Sequence, residues 1–194
     1  MYVIYIKTIV ILSICSLFFV GTHSFAATPA NVDMSKIKTT WISRTNGERK
    51  SLKLTSYTGN TLLDTSAQQR AEYLQTLGKT THQRLTGDGY YNYRSIQSWF
   101  ALQHVGFSNA EGTMFSESLG RGYYRCTQAD CTDALIKAIK STWNFFMSEK
   151  YKKSRPHYNA IVSKNFNSVG LGIAVTKNRY YLVSHYGKNV MKIK

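Results

Sequence analysis

The sequence predicts an α+β fold with helices packed on a sheet, and three observations carry that prediction. Amphipathic helical stripes come first along the chain, and two runs of alternating apolar residues joined by a turn close it. The length of 194 residues fits one domain with processed ends. A hydrophobic content of 43% with 14 tyrosines supplies a core, and two prolines with no low-complexity tract argue against linked domains.

Residues 1–26 read as a signal peptide, with Lys7 in the charged segment and an apolar run from Ile9 to Val20. Ser24-Phe25-Ala26 then offers small residues for cleavage before Ala27. The apolar run is too short for a retained anchor, which needs roughly twenty residues. Export with removal is the expectation, giving a secreted or periplasmic protein. Cys15 leaves with the leader, and Cys126 and Cys131 remain as an even pair in an oxidising compartment. Their spacing, CTQADC, is not a zinc knuckle and predicts a local disulfide. So short a loop contributes only about 2 kcal/mol. The formal charge is +15, from 25 Lys and Arg against 10 Asp and Glu, and becomes +14 once Lys7 is removed. That imbalance favours anionic partners: phospholipid or lipopolysaccharide surfaces, cell-wall polymers or nucleic acid. A solvated basic surface is the plainer reading.

Residues 27–40 form a polar N-terminal lead, and 41–194 a single domain. Within it, 41–57 read as loop with one turn of helix and a chain turn at Asn46-Gly47. Leu62 to Leu77 is the first helix, with Leu63, Ala67, Ala71 and Leu74 on one stripe, Asp64, Thr65 or Ser66 as cap, and Gly78 as stop. His82 follows. Gly87-Asp88-Gly89 makes a turn, and Ser95 to Val105 a second helix ended by Gly106. Residues 107–131 read as a long connection, of the kind that carries function. Thr132 to Tyr151 is the third helix, capped by Thr132 or Asp133. Pro156 then suits the first position of a short fourth one. Val169 to Val175 alternates apolar residues with Gly170, Gly172 and Ala174. One strand face is therefore core, and the other is bare enough for a helix or ligand to approach the backbone. Tyr180 to Tyr186 is its antiparallel partner.

His82, Glu117, Glu149 and His157 fall at the edges of these elements. Such groups suit a divalent metal such as zinc, or general acid/base chemistry, and their spacing alone does not choose. Glu149 has a rival reading as an exposed helix-end carboxylate paired with Lys153. The run Asn46-Gly47-Glu48-Arg49 resembles the N-x-x-R opening of the CAP superfamily, the cysteine-rich secretory, antigen-five and pathogenesis-related proteins with their bacterial SCP-like relatives. Ala67, Arg70 and Ala71 resemble that family's next helix, and Thr81-His82 the histidine after it. Ser116-Glu117-Ser118-Leu119 is similar to G-E-N-I/L, with Ser118 in the asparagine's place. Phe146 to Glu149 is similar to aromatic-x-x-E, and His157 with Ile161 to G-H-x-x-x-I/L, with Arg155-Pro156 departing from it. Phe166 to Gly172 resembles F-x-x-V-G-V/I/L-G. Only eight positions separate Glu149 from His157, and the eukaryotic disulfide set is missing, as in a bacterial member.

The resemblance, covering 41 to 187, implies a three-layer α-β-α sandwich with a central cleft lined by His82, Glu117, Glu149 and His157. It implies zinc held through His82 and His157, or a small apolar ligand. A binding protein is the first expectation. The alternative is a metal-assisted hydrolase of peptide or cell-wall substrates, with Glu117 or Glu149 as the catalytic base. A nucleic-acid partner ranks last. Aromatic and basic residues interleave at Tyr90 to Arg94, Tyr123 to Arg125 and Arg179 to Tyr181. These could stack on bases or sugars, although cleft wall and core explain most of them. His104 and His185 read as packing or surface residues, with His185 close enough to the cleft to reach it.

Overall fold

A computed structural model describes residues 31–108, 114–176 and 178–194. The leader and the first residues of the predicted lead lie outside them. The chain runs α1 (Met34–Ser51), β1 (Thr58–Gly59), α2 (Thr61–Leu77), α3 (Tyr93–Leu102), β2 (Val105–Phe107) and β3 (Phe115–Tyr123). It continues through α4 (Thr132–Ser148), a 3-10 turn at Glu149–Tyr151, α5 (Pro156–Val162), β4 (Ser168–Val175), β5 (Arg179–Gly187) and β6 (Val190–Lys192). The main sheet has the order β1-β4-β5-β3, with β1 parallel to β4 and the other pairs antiparallel. β2 and β6 form a separate ribbon.

Helices cover both faces of this sheet, which makes an α-β-α sandwich. On one side Trp41 of α1, Leu135 and Phe146 of α4 and Ile161 of α5 pack on Val169, Leu171 and Ile173. On the other, Ala67, Ala71 and Leu74 of α2 meet Leu119, Ala174 and Val183. Small residues on both surfaces let α2 lie unusually close. A Cβ on Gly172 would come within 2.1 Å of the Ala67 carbonyl carbon, and one on Gly170 within 2.3 Å of that of Leu63. The bare strand face predicted from the glycine alternation is therefore filled by a helix.

Polar side chains of α2 also seal the edge of β4 beyond the two-residue β1. Asp64 accepts from Leu171 N–H at 2.8 Å, Gln68 exchanges two bonds with the Ile173 backbone, and Gln75 donates to the Val175 carbonyl. These satisfy backbone groups that an open edge would leave unpaired. Asp64 is thus not the cap. Asn60 is, accepting from the Leu62 and Leu63 amides, and Gly78 ends α2 in the left-handed conformation (φ 67°) as predicted.

The start of the chain needs the largest correction. Residues 34–51, read as lead and loop, are the helix α1, so the domain begins before residue 41. Its buried stripe is Ile37, Trp41, Thr45 and Arg49, too polar to register as apolar periodicity. Asn46-Gly47 is mid-helix. The Asn46 amide pairs with both backbone groups of Tyr57, and Arg49 donates to the carbonyls of Thr55, Ile161 and Ser163 while lying 3.6 Å over the Tyr57 ring.

The stretch 107–131 is likewise no plain connection. Its serines and glycines conceal β3, which pairs with β5 over nine residues and is covered on both faces only as far as Gly120, so no apolar alternation shows. The second helix spans Tyr93–Leu102, and Val105 and Gly106 belong to β2. Neither Thr132 nor Asp133 caps α4: Cys131 holds that position without a side-chain bond. The predicted Cys126–Cys131 disulfide is present. Beside it, Asn31 and Asp33 bond to Cys131 and Thr132, fastening the entry of α1 to that of α4.

Candidate functional site

α2 carries Arg70 on its sheet-facing stripe, and the chain leaving α2 brings His82 and Arg84 over the start of β3, where Glu117 stands opposite His185 of β5. Glu117 is fully enclosed. Its Oε1 accepts from His82 Nδ1 at 2.8 Å and Arg84 Nη1 at 3.0 Å. Its Oε2 accepts from Arg84 Nη2 and from His185 Nε2 at 3.0 Å, with Arg70 Nε 3.7 Å away. Burial works against this charge, yet Arg84, His185 and His82 together hold the carboxyl well below its usual range. Burial outweighs the Glu117 contact for His185, whose pKa is lowered, and it lowers Arg70 to about 10.

The second pair comes from the turn after α4 and the first turn of α5. Glu149 is 5% exposed and accepts from His157 Nδ1 at 2.6 Å, His157 N–H at 2.9 Å and Tyr158 N–H at 3.2 Å. It caps α5 and clamps the His157 ring, which also stacks on Phe146 at 4.4 Å. The Lys153 pairing is not formed.

His82, Glu117 and His157 line one cleft of about 550 Å3, together with Tyr90, Tyr91 and Phe166. Tyr91 lies 4.8 Å from the His82 ring, and its hydroxyl accepts from Glu117 N–H. In each pair the carboxylate binds Nδ1, which fixes the proton there and leaves Nε2 as the remaining ring nitrogen. That orientation fits zinc ligation. Both carboxylates are consumed by their donors, so a metal would find two protein ligands here. Among the described residues no group of three or more His, Cys, Asp or Glu is arranged to hold a metal ion.

Sequence reasoning gave neither Arg70 nor Arg84 a place in the site, and read His185 as a packing or surface residue able to approach the cleft. Arg70 had a signal, being a charge on the apolar stripe of α2. Arg84 had none, because only the fold brings it to Glu117.

A family model described as the cysteine-rich secretory protein family, CAP, matches residues 42–186. Among solved structures, an outer surface protein of Borrelia burgdorferi is similar at 18% identity and a TM-score of 0.57, covering 81% of this chain and 96% of its own. The CAP domain of enterococcal PrgA is similar at 16% identity and a TM-score of 0.53, covering 82% of this chain and 62% of its own. No curated protein sequence matches.

Proposed function

Because the chain belongs to the CAP family of cysteine-rich secretory proteins, we propose that it is an exported binding protein whose cleft takes a divalent metal or a small apolar ligand. The single observation that supports this is the pair of histidines on one cleft, each oriented through Nδ1 by its own carboxylate. Zinc held by His82 and His157 would be a Lewis-acidic centre with positions left for a ligand. Tyr90, Tyr91 and Phe166 give the same cleft apolar wall.

Lys152, Lys153 and Arg155 are exposed on the loop that delivers His157, with Tyr151 beside them at 90% exposure. An anionic envelope or host surface would meet the cleft from that side.

Calorimetric titration of zinc into metal-free protein should give saturable binding that His82→Ala or His157→Ala abolishes. Equal heats from the wild type and the double variant would refute the metal reading. Hydrolysis with Glu117 or Glu149 as base has less support. Glu117 is held ionised by four donor contacts and Glu149 caps a helix, so neither is poised to take a proton.

No helix of the described residues is long and apolar enough to cross a membrane. Export rests on the leader, and the similar Borrelia protein is described as an outer surface protein. N-terminal sequencing of the exported protein should begin at Ala27. A chain that still starts at Met1 would contradict leader removal.

A further inference from the structure

The sealed edge of the sheet has an open counterpart. β3 is the outer strand on the far side and pairs with β5 alone. Its Glu117 N–H donates to the Tyr91 hydroxyl, so the backbone at Glu117 faces away from β5. Antiparallel pairing alternates, which turns the N–H and carbonyl groups of Leu119 and Arg121 outward as well. Among the described residues none of these four groups has a hydrogen-bond partner. An unsealed row of this kind is a template for another strand.

The row lies in a groove rather than on a flat rim. A cavity of about 300 Å3 is lined by Leu119, Gly120 and Arg121, by Thr142 and Phe145 of α4, and by Thr80 on the chain leaving α2. Because α2 and α4 cover opposite faces of the sheet, the two helical layers wall the strand edge on either side.

The walls differ in chemistry. Leu119 packs among Ala67, Ala71 and Leu74 of α2, and Arg121, two positions on, stands on that same face. Arg121 is exposed, as is Lys79 beside Thr80, and neither forms an ion pair among the described residues. No Asp or Glu is among the residues lining the groove. The α4 wall instead offers Phe145, 52% exposed. Arg121 also argues against a second copy of this chain, since two-fold pairing of β3 edges would set like charges side by side.

We propose that this groove docks an extended acidic segment of another protein, added antiparallel to β3 as a fifth strand of the sheet. Its backbone pairs with Leu119 and Arg121. Carboxylates on one face of the segment meet Arg121, and apolar side chains at the alternate positions lie on Phe145. The docking uses neither His82 nor His157 and would stand if zinc binding failed.

The test is calorimetric titration with a capped hexapeptide of three Glu-Val repeats, with EDTA present to keep metal out of the histidine cleft. The peptide should bind once per chain, and the Leu119 and Arg121 amides should exchange with deuterium at least about tenfold more slowly at saturation. The Lys-Val counterpart should not bind. Glutamates opposite Arg121 turn their own backbone toward β3, so N-methylation of the glutamate amides should abolish binding and N-methylation of the valine amides should not. Arg121→Gln, at an exposed position, should weaken the peptide at least about fivefold, with circular dichroism as the check on folding. Absent Glu-Val binding, equal binding by the two N-methylated forms, full affinity in Arg121→Gln, or binding only when zinc replaces EDTA would each overturn the proposal. So would a free protein that sediments as a dimer dispersed by the peptide, which would assign the edge to a second copy.

Discussion

Glu117→Gln should cost the domain about 3–5 kcal/mol, the penalty for removing one partner from a buried charge network. The substitution leaves the volume almost unchanged but strands Arg70, fully buried, and Arg84, 5% exposed, without a counter-charge. It also turns one carboxylate oxygen into a donor facing donors, since His82, His185 and Arg84 all point N–H groups at that carboxylate. A melting temperature lower by about 10 °C is the corresponding reading for a domain this size. A variant that melts with the wild type would show that the network is not structural.

The same network sets the acid limb of stability. His185 has a folded pKa below its ordinary 6.5, so the unfolded chain binds a proton first and stability begins to fall as pH drops through about 6.5. Glu117 has a folded pKa far below its ordinary 4.5, and its contribution, complete above that value, drains away as pH falls below it. A urea midpoint followed against pH should therefore decline in two stages. A profile flat from above pH 6.5 down to 4.5 would contradict the His185 shift, and one that stays flat as pH falls below 4.5 would contradict the Glu117 shift.

Gly172→Val should be as damaging by a different route. The atoms that a side chain would strike are Ala67 C at 2.1 Å, Gln68 N at 2.2 Å and Ala67 O at 2.3 Å, all helix backbone. No rotamer change relieves such a clash, so α2 must lift from β4 and lose its hold on Ile173. Overpacking ordinarily costs about 1–3 kcal/mol, and a rigid backbone neighbour puts this case above that range. Urea denaturation or soluble yield reads the loss. Gly47→Ala, where nothing lies within 4 Å on an exposed helical face, is the matched control and should gain up to about 1 kcal/mol. Equal midpoints for the two variants would refute the close-packing account.

What the sequence made legible follows from where the information is local. α2, α4 and α5 announce themselves because each buries one regular stripe, and β4, covered on both faces, shows through apolar residues alternating with small ones; the family motifs fall on them. The α1 helix hid because half its buried stripe is Thr45 and Arg49, whose partners lie across the fold. β3 hid because its covered stretch, Phe115 to Gly120, is built largely from small and polar residues. The site shows the same division. His82, Glu117, Glu149 and His157 are visible as residue types, and the pairing of His82 with Glu117 and His157 with Glu149 is a product of the fold. Arg84 and His185 have no local pattern, because their roles come from a strand register and a loop path.

The sealing of β4 by α2 has a consequence for how the chain is made. Asp64, Gln68 and Gln75 find their backbone partners about a hundred residues later, so the sheet edge cannot be closed by anything in the early part of the chain. Closure must wait for the last stretch to arrive, a high-contact-order step that delays the final fold. Until then the growing polypeptide has no completed sheet to pin its helical segments, which keeps it pliant until its C-terminal strands appear.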